Sequence, residues 1–136
     1  MISSVVKNKQ QQQLDLADSI GQVQRKIDEI SFEINNIQAS SLVALPTSSI
    51  VRFRAKGSGG AYWYYKWQSS QPIFVTKNGN PSRYKYIGKA GSPAFLEAVE
   101  MLRNRTSISA LEQVLHTLEL ARLDLVEEAS RINEQQ

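Results

Sequence analysis

Hydrophobic residues near the start of the chain recur with the period of a coiled-coil helix. They are spaced alternately four and three residues apart, and together they form one narrow seam: Leu16, Ile20, Val23, Ile27, Ile30, Ile34 and Ile37. Charged and amide residues fill the other positions, so this seam needs a partner helix to cover it. The pattern predicts a coiled-coil helix over residues 14–40, after a flexible lead-in over residues 1–13, and Pro46 prevents the helix from continuing.

A second helical pattern occupies the last part of the chain. Ser109 and Glu112 have the spacing of a capping box, in which each side chain bonds the other residue's amide. This signature predicts a C-terminal helix over residues 109–134. Its seam consists of Leu111, Leu115, Leu118, Leu125 and Ile132, with Arg122 and Ala129 in the intermediate positions and Val114, Leu123 and Val126 widening the stripe. We expect the two helices to pair and to leave apolar surface for a second copy, giving a homodimer through the helical arms.

Between the two helices the hydrophobic pattern changes to the alternation of β-strands. Four strands are predicted: Ile50–Ala55, Ala61–Trp67, Pro72–Thr76 and Ser82–Gly88. Asn78-Gly79 is a hairpin signal between the last two. Ser92 and Pro93 then favour the start of a short helix, with a buried stripe of Phe95, Ala98, Val99 and Leu102. The predicted fold is α+β: a small antiparallel basic sheet of three or four strands with a short helix over residues 50–105, flanked by the two long helices.

Alternation also divides the strand residues between two faces. In the second strand, Trp63, Tyr65 and Trp67 share the face expected to pack on helices, because large rings are usually buried. That assignment leaves Tyr62, Tyr64 and Lys66 exposed, with Lys66 beside the cations of a neighbouring strand.

Charge is distributed very unevenly along the chain. Residues 34–96 contain no Asp or Glu, yet they hold eight of the 16 Lys and Arg and ten of the eleven aromatic residues. Such one-signed clustering among rings is typical of surfaces that meet polyanions, most often nucleic acid; the alternative is a basic sheet with an aromatic core. The residues expected to contact nucleic acid are Arg52, Arg54, Tyr62, Tyr64, Lys66, Lys77, Arg83, Lys85 and Lys89.

Few residues in the chain suit catalysis or metal binding. There is no cysteine and one histidine, His116, and the central segment has no Asp, Glu, His or Cys, so catalysis there would have to use Ser, Tyr, Lys or Arg alone. We therefore expect no enzyme activity, no metal and no cofactor. No apolar run of about 20 residues is present to span a bilayer, and residues 1–13 show no secretion signal, so we expect a cytoplasmic protein with no membrane contact.

The glycine-rich turn Gly88–Pro93 leaves two interpretations open. It joins a basic strand to a capped helix start, where free amides favour a phosphate. It is equally compatible with an ordinary connection between a strand and a helix.

Residues 60–102 resemble the arm-type DNA-binding domains of tyrosine integrases. The matching segments are AYWYYKW, IFVTKNGN, RYKYIGKAG and SPAFLEAVEML. The resemblance implies three antiparallel strands followed by a helix, with a sheet face that enters the major groove. It implies no recombinase activity, because the chain has no integrase catalytic region.

The order of elements along the whole chain is also similar to that of a group of small uncharacterised proteins of bacteria and mobile elements. These proteins have a leading helix, a GxYYY-type strand, a basic RYxxxGK-like strand and trailing helices. Many of them carry central cysteines, which this chain lacks. The resemblance carries no function with it.

Three functional hypotheses follow from the sequence. The first is a dimeric nucleic-acid-binding protein, regulatory or accessory to a mobile element, with duplex DNA favoured over single strands or RNA. The second is a coiled-coil adaptor or inhibitor whose basic sheet binds an acidic protein partner. The third is a protein that binds single strands or RNA through its tyrosines.

Overall fold

A computed structural model describes residues 8–40 and 42–134 and confirms an α+β architecture. Helix α1 spans Lys9–Ala39 and helix α2 spans Pro93–Glu134. Between them lie β1 (Ser48–Gly57), β2 (Gly60–Ser69), β3 (Phe74–Val75), β4 (Pro81–Ser82) and β5 (Tyr84–Gly88). These elements belong to two compact units: a sheet unit, Ile37–Ile108, and a helical unit made of the described residues of Met1–Asn36 and Ser109–Gln136.

Helix α1 begins earlier than the sequence predicts. The side-chain Oδ1 of Asn8 accepts the amide of Gln11 at 2.7 Å and caps the helix. Gln10–Gln13, which were predicted to be a flexible lead-in, are therefore helical, and glutamine is a good helix former. Residues 1–7 of the predicted lead-in lie outside the described residues. The helix ends at Ala39, one residue before the predicted end.

The two helix segments of the helical unit run antiparallel. Gln13 of α1 bonds Asn133 of α2, and Leu16 lies beside Ile132. The predicted α1 seam is the less exposed side of that helix, as expected for the face that packs. In α2 the predicted position of Arg122 in the seam is wrong, because Arg122 is exposed and Ala121 is half-buried in its place. Neither described helix contains an apolar stretch long enough to cross a bilayer.

Helix α2 is continuous, so the predicted short helix and the predicted C-terminal helix are one element. The predicted helix start at Ser109 is wrong. A capping box acts only where a helix terminus leaves amides free, and no Gly or Pro occurs after Pro93 to create such a terminus. Thr106 shows that the helix interior accommodates a hydroxyl side chain, since its Oγ1 donates to the Leu102 carbonyl at 2.9 Å.

The main sheet has three antiparallel strands in the order β1-β2-β5. Strands β1 and β2 form a long hairpin that pairs Ser48 with Ser69 at one end and Gly57 with Gly60 at the other. The connection requires glycine, since Gly59 has φ 96°. A bulge between Tyr65 and Lys66 interrupts the pairing of β2 with β5.

The predicted hairpin at Asn78-Gly79 is confirmed, although its strands are short. Gly79 has φ 81°, and the amide of Thr76 donates to the Asn80 carbonyl at 2.8 Å. The predicted strand Pro72–Thr76 is reduced to β3, which pairs with β4 in a separate two-stranded sheet. Pro81 shortens the ladder because proline has no amide to donate.

The core of the sheet unit lies between one sheet face and the first turns of α2. Trp67, Phe74 and Ile87 are buried there with Ala98 of the helix. Tyr65 packs edge-on against Phe95, with ring centroids 4.8 Å apart. Val99, which was predicted to be buried, is 41% exposed, and Met101 packs against the core.

The segment before β1 is fixed to α2 by polar contacts. The Arg105 guanidinium donates to the Leu45 carbonyl and, at 3.1 Å, to Ser48 Oγ. Asn104 Nδ2 donates to the Leu42 carbonyl at 2.8 Å. These bonds set the position of β1, and therefore of the whole hairpin, against the helix inside the sheet unit.

Candidate nucleic-acid interface

The two compact units carry opposite formal charges. The sheet unit contains ten Lys and Arg against two Glu, which gives +8. The described residues of the helical unit contain five Lys and Arg against eleven Asp and Glu, which gives −6. A polyanion is therefore attracted to the sheet unit and repelled by the helical unit.

A row of three aromatic rings crosses the sheet on the face opposite the α2 core. Phe53 of β1 pairs with Tyr64 of β2, and their ring centroids are 5.8 Å apart. The Tyr64 ring in turn lies 6.2 Å from that of Tyr86 in β5. We call Phe53, Tyr64 and Tyr86 the ring platform.

Two lysines lie over rings on this open face. Lys66 Nζ is 4.9 Å from the Phe53 centroid and 4.3 Å from that of Tyr84. Lys89 Nζ is 4.6 Å from the Tyr62 centroid and 5.8 Å from that of Tyr64. A cation over a ring face is attracted to it, so each ammonium group is held against the sheet. The predicted position of Lys66 beside neighbouring cations is wrong, because its neighbours are rings.

The ring platform borders a shallow depression of about 350 Å³. Phe53, Tyr64 and Tyr86 line it together with Ala55 and Lys56. Tyr86 is 63% exposed, so much of its side chain is open to a ligand.

The other face of the hairpin carries a second cationic feature, outside the part that α2 covers. Arg52 and Arg54 occupy alternate positions of β1, and we call them the arginine row. The Cζ atoms of Arg52 and Arg54 lie 4.1 Å and 5.0 Å from the centroid of Trp63. Trp63 is 44% exposed, contrary to the prediction that it packs on a helix. Its partner across the ladder is Arg54, whereas the helix covers the end of β2 at Trp67.

The structure separates the nine predicted contact residues into three groups. Tyr62, Tyr64, Lys66 and Lys89 lie on the open face. Arg52 and Arg54 lie on the opposite face, and so does Lys85, which lines a groove with Trp67 and Glu97. Lys77 and Arg83 are exposed in the segments between β3 and β4 and between β4 and β5. The nine residues therefore form no single patch.

Several residues of this surface were not predicted as contacts: Phe53, Lys56, Tyr84 and Tyr86. The register of the hairpin is the sequence signal that could have identified Phe53. A two-residue turn between Gly57 and Gly60 places Phe53 opposite Tyr64, and hence on the same face.

The turn Gly88–Pro93 satisfies its own polar groups in part. Ser92 Oγ accepts the Phe95 amide at 3.2 Å and caps α2, and the Ser92 amide donates to the Lys89 carbonyl at 3.1 Å. Phosphate binding at this turn stays a prediction. Among residues 8–40 and 42–134, no group of three His, Cys, Asp or Glu is placed to hold a metal ion.

Comparisons of the chain with protein-family models, with curated proteins and with solved structures found no match. The resemblances described above therefore stay predictions.

Proposed function

We propose that this protein binds nucleic acid through its sheet unit and acts as a regulatory or accessory DNA-binding protein rather than as an enzyme. The observation that carries the proposal is the division of formal charge, +8 on the sheet unit against −6 on the described residues of the helical unit. Phosphates supply most of the affinity in such complexes through contacts with Lys and Arg.

The β1–β2 hairpin has the form of a duplex-reading ribbon. The major groove of B-DNA admits a two-stranded β-ribbon, and residues 56–63 at the end of this hairpin are all exposed. Arg52 and Arg54 lie against Trp63, which limits the conformational freedom that they lose on binding. Guanidinium forks match both phosphates and guanine edges. Duplex DNA is the ligand that the arginine row supports best.

The proposal is tested by measuring DNA affinity, by fluorescence anisotropy, from about 50 to 200 mM salt. Two double variants remove the same charge: Arg52→Ala with Arg54→Ala, and, as the matched control, Arg122→Ala with Arg131→Ala in the helical unit. All four side chains are exposed, so neither variant should unfold the protein. If both row arginines contact phosphates, the first variant binds more weakly and its log–log salt slope becomes shallower by roughly 1.8, at 0.9 per phosphate.

The control should bind like the parent protein. Equal effects of the two double variants would contradict a contact on the sheet unit. A parent protein that binds no nucleic acid at low salt would overturn the proposal, and the hypothesis of an acidic protein partner would then take its place.

A further inference from the structure

We infer that the ring platform is a second binding surface and that it stacks unpaired nucleobases of a DNA or RNA strand. It lies on the sheet face opposite the arginine row, so it is separate from the duplex contact proposed above. Different variants therefore test the two surfaces.

The three rings offer aromatic surface to bases, although their planes are not parallel: Phe53 and Tyr64 are tilted by 31° and Tyr64 and Tyr86 by 46°. Phe53, Tyr64 and Tyr86 come from three neighbouring strands, with centroid separations of 5.8 Å and 6.2 Å. The depression beside them, about 350 Å³, is within the range of roughly 300–1,000 Å³ found for sites of small molecules. A flat base entering this depression meets Tyr86, the most exposed of the three rings.

The charges around the platform suit the backbone of a nucleic-acid strand. Lys66 lies over the Phe53 ring and Lys89 over the Tyr64 ring. A base that stacks on either ring therefore displaces the ammonium group and leaves it beside the strand, where it can contact a phosphate. No carboxylate occurs in residues 34–96, which include every ring and lysine of this face, so nothing in that segment repels a phosphate. Rings for the bases and cations for the backbone are the two components of single-strand binding surfaces.

An intact duplex does not fit this face as well as it fits the arginine row. The bases of a duplex are stacked on one another and show only their edges in the grooves, whereas a ring needs the face of a base. Unpaired bases expose those faces, and the ring platform has no arginine fork with which to read an edge.

The test compares Tyr86→Ala, which removes the ring, with Tyr86→Phe, which keeps it. Val75→Ala is the control, since Val75 is an exposed apolar residue outside the platform. Binding is measured by anisotropy with labelled single strands of about 12 nucleotides, one of deoxythymidine and one of uridine, and with a duplex. Circular dichroism checks that each variant is folded.

Tyr86→Ala should weaken single-strand binding roughly 5- to 150-fold, the loss that corresponds to removing one stacked base. Tyr86→Phe and Val75→Ala should bind the single strands like the parent protein, and duplex binding should change little in all three. Arg52→Ala with Arg54→Ala should weaken duplex binding more than single-strand binding. Tighter binding of the uridine strand would identify RNA as the source of the bases, and tighter binding of the deoxythymidine strand would identify DNA.

Three results would overturn the inference. They are a parent protein that does not bind single strands, a Tyr86→Ala variant that binds them normally, and an equal loss in Tyr86→Ala and Tyr86→Phe. If duplex binding persists in those cases, the proposed function stands. If the parent protein binds neither form, both proposals fail.

Discussion

Substitution of Ser109 tests whether α2 is continuous. A separate C-terminal helix and a continuous helix predict stability changes of opposite sign. If Ser109 capped a separate C-terminal helix, its substitution by alanine would destabilise the protein by about 1 kcal/mol. In the structure it is an exposed residue in the interior of α2, Pro93–Glu134. Alanine is the better helix former at such a position, by about 0.5 kcal/mol. Ser109→Ala should therefore stabilise the protein.

Ser92→Ala is the matched control, because the Oγ of Ser92 does accept a helix amide, that of Phe95 at 3.2 Å. It should destabilise the protein by about 1 kcal/mol. For a chain of this size, 1 kcal/mol shifts the melting temperature by roughly 3–5 °C. Thermal melts followed by far-UV circular dichroism should show Ser109→Ala melting about 2 °C above the parent protein and Ser92→Ala about 4 °C below it. A decrease of similar size in both variants would refute the continuous helix.

Further predictions concern DNA contacts and assembly. Arg83→Ala should cost about 1–3 kcal/mol of duplex binding and relax sequence preference, while Lys77→Ala weakens all sequences alike; both should melt like the parent protein, because these side chains are exposed. Unchanged binding in both would exclude the two segments from the interface. The helical unit exposes Leu120, Leu123 and Val126, so light scattering at tens of micromolar should show a dimer. Ile27→Asp should dissociate or unfold it at a cost on the order of 3 kcal/mol, and a monomeric parent protein would contradict this.

The features that the sequence predicted correctly depend on short-range patterns. The seam of α1 and the hairpin at Asn78-Gly79 follow from residue spacing and from glycine's tolerance of positive φ. The prediction of a helix start at Ser109 was wrong because the residues of a capping box are also compatible with a helix interior. Only the absence of a helix breaker between Pro93 and Glu134 could have distinguished the two.

The division of the candidate site between two faces was only partly accessible from the sequence. Alternation correctly separated Tyr64 and Lys66 from Trp63 and Trp67 within β2, because side chains alternate along a strand. It did not relate the faces of β1 to those of β2. Alternation could not show how far α2 extends over the sheet. Trp67 is buried because the helix covers it, whereas Trp63 lies beyond the helix and is 44% exposed. The contacts of Lys66 with rings depend on the neighbours in β1 and β5, which a single strand does not specify.

Lysine acetylation with and without bound DNA, read by mass spectrometry, tests most directly whether the sheet unit is the nucleic-acid interface. Lys56 and Lys89 report on the sheet unit, and Lys9 and Lys26 report on the acidic helical unit of the same molecule. A duplex with a single-stranded extension should protect Lys56 and Lys89 from acetylation and leave Lys9 and Lys26 reactive, since phosphates cover cations where they bind. Protection of Lys9 and Lys26, or equal reactivity of all four lysines with and without DNA, would contradict the account.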